Sequence, residues 1–232
     1  MKATTTLLFS LWLSHAMAQN TINASAIIRQ IDSGQPVIYK NMVIEGELDF
    51  TNLKNRNGSN KSFDFFSMGN DTYESTVDVS LEFVNCTFQD DVIAYYHVER
   101  DNDTFVAHFE ENVVFQNCIF KNKTEFKYSE FEGGADFSGS TFYREANFKY
   151  AEFSGTPNFA KANFKGDANF KYAEFPRGAD FESAVFEELA NFKYTKFTTP
   201  LNMKNTSFQG EEDFKYTRVD GQSFTAYLLN NR

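Results

Sequence analysis

The chain has 232 residues, a formal net charge of −10 at pH 7, two cysteines, and 28 phenylalanines against one tryptophan. That length holds one substantial domain or two small ones. The acidic balance disfavours nucleic acid and anionic membranes as partners outside a local basic patch, and two cysteines exclude a disulfide-stapled small scaffold, so stability must come from a hydrophobic core.

The first element is a leader. Lys2, the apolar run at 7–13 (LLFSLWL) and the small residues Ala16-Met17-Ala18 predict a secretory signal over 1–18, cut after Ala18. The run is far shorter than the roughly 20 residues that span a bilayer, and no later segment approaches that length. No cysteine stands at the cleavage point for a lipid anchor. The mature chain is therefore expected to be secreted or periplasmic, with no transmembrane segment; losing Lys2 takes its net charge from −10 to −11.

Residues 19–40 read as an N-terminal cap. Ile22, Ile27, Ile28 and Ile31, with Thr21 or Asn23 as capping residue, predict a short amphipathic helix within 21–33. Residues 41–112 carry fragments of a pattern that becomes regular further on. FVNCTF (83–88) aligns with FQNCIF (115–120) at a separation of 32, so polar insertions are expected at about 54–75 and 92–108.

From 113 to 219 phenylalanines fall on a lattice spaced alternately five and six residues, with Met203 and Val219 in two phenylalanine slots. A helix would need apolar partners three and four residues on, and those positions are mostly polar. An extended segment with a small residue at i−2 and phenylalanine at i, both inward, followed by a turn, fits instead. Four such sides make 22 residues, which is why ANFKYAEF stands at both 146–153 and 168–175. Residues 22 apart then stack, giving a solenoid with four interior phenylalanine ladders, all of them buried.

The units ANF, AEF, ADF and SGSTF resemble those of the pentapeptide repeat family, in a Phe-rich variant that adds a residue at every second corner. The resemblance implies an all-β fold, a right-handed four-sided parallel β-helix, here with the short N-terminal capping helix. Residues 220–232, with Phe224, Tyr227, Leu228 and Leu229, are expected to cap the C-terminal end or to form a homodimer contact, an arrangement the resemblance also implies. Glu212, in a slot that should be small and inward, implies that the last coil is either distorted or near an open end.

Three surface features are candidates for function. Lys-Tyr follows the same phenylalanine in five coils, at Lys127-Tyr128, Lys149-Tyr150, Lys171-Tyr172, Lys193-Tyr194 and Lys215-Tyr216. This corner either holds a polysaccharide or an anionic partner, with ligand rings stacking on exposed tyrosine faces, or is decoration copied along with the repeat. Cys86 and Cys118 share the i−2 slot on neighbouring coils and are either stacked buried thiols or a disulfide. The 92–108 insertion gathers His97, Glu99, Arg100, Asp101, Asp103 and, at its end, His108, without the spacing of a zinc or calcium loop.

No catalytic, cofactor-binding or metal residues are assigned, and no cofactor is expected. The sequence reads as an exported, non-enzymatic structural or interaction scaffold whose partner is a protein or a polysaccharide rather than nucleic acid. One alternative is a glycan-active β-helix enzyme using the 92–108 insertion. Another, implied by the resemblance, is a DNA-mimicking topoisomerase-binding protein, which the signal sequence disfavours.

Overall fold

The computed structural model describes residues 20–58 and 71–230. The expected leader, its cleavage point and most of the first insertion lie outside the described residues. The described chain is nearly all strand, wound into a parallel β-helix with four faces.

Each face is a ladder of short parallel strands from successive coils. The third face, for example, pairs Leu48–Asp49, Val92–Ile93, Thr124–Glu125, Ala146–Asn147, Ala168–Asn169, Ala190–Asn191 and Glu212–Asp213 in unbroken register. The first face pairs Val37–Lys40, Leu81–Val84, Val113–Gln116 and Ala135–Asp136, and continues through the bridging residue Asn158, which pairs with Asp136 above and Asp180 below. Regular coils repeat at 22 residues, while Phe83 pairs with Phe115 at 32.

The core follows from that register. Phenylalanine stacks on phenylalanine along each ladder, with centroids 5.1 Å apart for Phe148 and Phe170 and 4.9 Å for Phe142 and Phe164. Neighbouring ladders meet edge to face, as Phe148 and Phe159 do at 5.4 Å and 80°. Offset and T-shaped contacts both suit the ring quadrupole. The ladders start upstream of the regular repeat, with Phe83 above Phe115, Phe88 above Phe120 and Phe109 above Phe131. At the far end burial falls short of expectation: Met203, Phe208 and Phe214 are only partly buried, because no further coil covers them. Glu212 is exposed at this open end while its strand keeps register with Ala190.

The small i−2 slot is occupied by residues that fit between ladders, and polar ones find a carbonyl there. Ser140 donates to the Phe115 carbonyl, Thr195 to Phe170 (2.7 Å) and Thr217 to Phe192 (2.6 Å). Cys118 and Cys86 behave alike, their Sγ atoms lying 3.3 Å from the Phe83 carbonyl and 3.4 Å from the Tyr39 carbonyl. Both thiols are buried and free, the first of the two readings. Burial pushes the Cys118 thiol far up, away from nucleophilic use.

Both ends carry a helix. α1 spans Ala24–Ile31, with Asn23 as N-cap accepting from the Ser25 amide at 2.9 Å, and it buries Ala24, Ile27 and Ile31 against the first coil. Ile22 lies outside it: Asn20–Asn23 is a strand on Met42–Glu45, and Val37–Lys40 also joins a sheet, so much of the stretch 19–40 is coil. α2 spans Phe224–Asn230 and folds back, stacking Phe224 on Phe214 at 4.1 Å and donating the Tyr227 hydroxyl to the Leu201 carbonyl. Leu228 and Leu229 stay exposed.

The insertions are less irregular than their composition suggests. Thr72–Val77, in part within the expected 54–75 insertion, is a strand of the fourth face, paired in parallel with Asp103–Phe109. Within 92–108, Val92–Ile93 belongs to the third face. Tyr95–Val98 and Asp103–Val106 form an antiparallel hairpin that widens the fourth face. Among the described residues no helix is long and apolar enough to cross a membrane.

Candidate functional site

The Lys-Tyr corner is built by a repeated turn. In each coil the residue after tyrosine donates its amide to the phenylalanine carbonyl three residues back, as Ala151 does to Phe148 and Ala173 to Phe170, both within 3.0 Å. Tyrosine is the third residue of this turn, with φ of 59° at Tyr128 and Tyr150, 62° at Tyr172 and Tyr194, and 65° at Tyr216. That is the type II pattern, which favours glycine or asparagine. The opposite corner uses the same conformation with changing residues: Asn117, Gly139, Lys161, Ser183 and Asn205.

The five tyrosines form one face-to-face column. Successive ring centroids lie 4.8, 4.6, 4.7 and 4.8 Å apart, with interplanar angles from 1° to 18°. This overturns the expectation that ligand rings stack on exposed tyrosine faces. Both faces of Tyr150, Tyr172 and Tyr194 are covered by their neighbours, so ring edges and hydroxyls are what the corner presents. Tyr95, from the hairpin, extends the column at 5.7 Å from Tyr128 and accepts a hydrogen bond from Lys127 Nζ at 2.8 Å. Sequence reasoning missed Tyr95 because the longer coil breaks the lattice that located the others.

Each lysine runs alongside its own tyrosine, with Nζ between 4.9 and 5.6 Å from the ring centroid; since neighbouring rings cover the faces of Tyr150, Tyr172 and Tyr194, the ammonium groups there lie toward the ring edges. Partial burial, then Lys127 and Lys171, hold the Lys149 ammonium below the usual lysine range.

On the third-face side of the lysines runs a second column: Glu125, Asn147, Asn169, Asn191 and Asp213, in strict register. The Oδ1 atoms of Asn147, Asn169 and Asn191 accept from the amides of Lys149, Lys171 and Lys193 at 3.1 to 3.2 Å, fixing the turn. On the other side stand Glu130, Glu152 and Glu174, followed by Lys196 and Arg218. Burial, then Glu174 and Glu130, raise the Glu152 carboxyl above the ordinary range, and Glu174 pairs with Lys196.

Residues 107–152 and 148–196 match a family model described as pentapeptide repeats, nine copies. Residues 107–196 belong to the pentapeptide repeat family. No curated protein and no solved structure matches it. The match stops at 196, whereas pentapeptide-type coil register runs on to Val219.

The other candidate groups do not converge. His97 Nδ1 is 3.0 Å from Thr104 Oγ1, Arg100 pairs with Asp101, and His108 lies further along the strand, accepting from the Glu130 amide at 3.2 Å. Among the described residues no group of three or more His, Cys, Asp or Glu is placed to hold a metal ion. A shallow acidic cleft beside α1 is lined by Gly46, Glu47, Asp90, Asp91 and Asn122. Its aspartates are engaged in tying coils together: Asp90 accepts from the Gly46 amide and Asp91 from the Lys123 amide.

Glu125 gives this surface a pH dependence. Burial raises its carboxyl to about 6, partly offset by the hydrogen bond from Asn147 Nδ2 at 2.9 Å. The folded state then holds the proton more tightly than the unfolded chain. This contribution to stability is full below the ordinary pKa of 4.5 and is lost as pH rises through about 6. Glu125→Gln keeps an acceptor for Asn147 and removes the charge. It is expected to stabilise the protein by roughly 1 kcal/mol at pH 7, after discounting for solvent screening, and to flatten the decline between pH 4.5 and 7 in thermal melts.

Proposed function

We propose that this pentapeptide-repeat chain is an exported, non-enzymatic interaction scaffold that presents its Lys-Tyr corner to a polysaccharide or a cell-envelope protein. The observation that supports this reading is the identity of the residue at the positive-φ turn position. Tyrosine in the left-handed region costs roughly 1 kcal/mol, and an aromatic stack contributes about 0.5–1.5 kcal/mol per pair. The two effects nearly cancel, so the fold gains little from tyrosine over asparagine. Passive copying of the repeat would have preserved both five-residue corners equally, yet the opposite one reads Asn, Gly, Lys, Ser, Asn while this one is tyrosine in all five coils. A surface role accounts for the difference.

The test is a triple variant, Tyr150→Asn, Tyr172→Asn and Tyr194→Asn. Asn117 and Asn205 hold the same turn position, so the melting temperature should stay nearly unchanged. Binding to a defined panel of envelope polysaccharides and purified envelope proteins should fall; binding kept to every member of the panel places the functional surface elsewhere. Export is checked independently: N-terminal sequencing of the protein from its native host should begin at Gln19, and recovery of the intact Met1 form from the cytoplasm would reverse that part of the reading.

A further inference from the structure

In its middle coils, the strip between the lysine column and the asparagine column is an array of hydrogen-bond donors that find no acceptor among the described residues. Among the described residues, none of Lys127, Lys149, Lys171, Lys193 and Lys215 has a carboxylate within salt-bridge distance. Asn169 and Asn191 use Oδ1 on the turn amide, and their Nδ2 groups donate to no acceptor among the described residues. The array has ends. Glu125 stands above Asn147 and takes its Nδ2, and Asp213 stands below Asn191, so carboxylates close the strip after three coils. Along the chain, the tyrosines separate it from the Glu130, Glu152 and Glu174 column.

Resting on the reading of this corner as the binding surface, we propose that its ligand is a linear acidic polysaccharide of uronic acids, lying along the helix axis across Lys149, Lys171, Lys193, Asn169 and Asn191. Charge complementarity selects an anion, since stacked ammonium groups without counter-charges are relieved by one. Spacing selects the kind of anion. The rungs repeat at 4.6 to 4.8 Å. Phosphates of a duplex strand repeat at about 3.4 Å along the axis, and same-face side chains of an extended acidic peptide at about 6.4–6.8 Å; both lose step within the strip. A pyranose ring linked end to end is close to one rung long. It brings hydroxyl and ring oxygens as well as its carboxylate, so every rung meets acceptors whichever way the carboxylate faces. Flexible lysine stems take up the remaining mismatch. The covered tyrosine faces give the ligand no ring stacking, so affinity should rest on charge-assisted hydrogen bonds and fall with salt.

The experiment titrates the full chain calorimetrically, at low and physiological salt, with oligogalacturonate, a neutral glucan oligomer, polyglutamate and single-stranded DNA. Oligogalacturonate should bind best. Lys149→Gln, Lys171→Gln and Lys193→Gln together should weaken it roughly tenfold or more at low salt. The pair Asn169→Asp and Asn191→Asp should weaken it similarly without a change in melting temperature, because Asp136, Asp180 and Asp213 already make the same turn contact. Lys40→Gln, Lys161→Gln and Lys204→Gln, an equal charge change elsewhere, should leave binding within about twofold. Failure of oligogalacturonate to bind, or binding insensitive to both corner variants, overturns the proposal. If polyglutamate or DNA binds better and that binding is lost in the corner variants, the ligand class is wrong while the corner remains the binding surface. If the corner variants and the triple tyrosine variant leave binding to every ligand unchanged, both readings fall.

Discussion

Phe164→Ala is expected to lower the unfolding free energy by roughly 3–5 kcal/mol. Phe164 is fully buried, stacked between Phe142 at 4.9 Å and Phe186 at 4.8 Å, with Phe159 and Phe170 across the interior at 6.3 and 5.9 Å. The cost of such a truncation depends on how far the site can collapse. Here the rings above and below are each held by a further ring, Phe120 and Phe208, so little collapse is available. Phe208→Ala removes the same side chain from the same ladder at the open end, where the ring is only partly buried. About 1–2 kcal/mol is expected there, since only part of the apolar area is withdrawn from water. Urea midpoints of the two variants should separate accordingly. Benzene should raise the melting temperature of Phe164→Ala and leave the parent unchanged, because an apolar cavity walled by fixed rings takes up such a guest. Equal midpoint shifts for the two variants would mean that depth of burial along the ladder does not set the cost of losing a ring.

The coil register was legible because one large residue type marks every side. Phe126, Phe148, Phe170, Phe192 and Phe214 stack as their 22-residue spacing predicts. The widened coil was less so: the separation of 32 between Phe83 and Phe115 showed that ten residues had been added but not that they prolong the fourth face. Alternation in DTFVAHF at 103–109 carried that signal, and its polar neighbours obscured it. The corner shows the same division. Sequence placed Lys and Tyr at each turn, yet whether a tyrosine offers its face or its edge depends on ring tilt against the coil above, which no spacing encodes. The Nδ2 donors of Asn169 and Asn191 were hidden for a related reason. An outward asparagine reads as solvated until the Oδ1 bond to the turn amide shows which end of the amide is left over.

Gly178→Ala is expected to be the most damaging single-methyl change in the molecule. The wide corners carry one residue more than the five-residue turns, and there the backbone runs close to that of a neighbouring coil, the following one at Gly178 and the preceding one at Gly133. At Gly178 φ is +86°, and a Cβ would overlap the Pro200 carbonyl oxygen, which already accepts the Ala179 amide at 3.1 Å. Two other glycines separate the causes. Gly221 has φ of +76° with nothing within 4 Å of a Cβ, so Gly221→Ala carries only the conformational cost, roughly 1 kcal/mol. Gly133 is outside the left-handed region, but a Cβ there would lie 2.5 Å from the Glu111 carbonyl carbon, so Gly133→Ala carries only the packing cost, about 1–3 kcal/mol. Gly178→Ala combines both and should cost roughly 3 kcal/mol or more. Chemical denaturation of the three variants should therefore rank Gly221→Ala mildest and Gly178→Ala most severe. A Gly178→Ala protein as stable as Gly221→Ala would show that the wide corners have slack, and that backbone approach between coils does not set their residue choice.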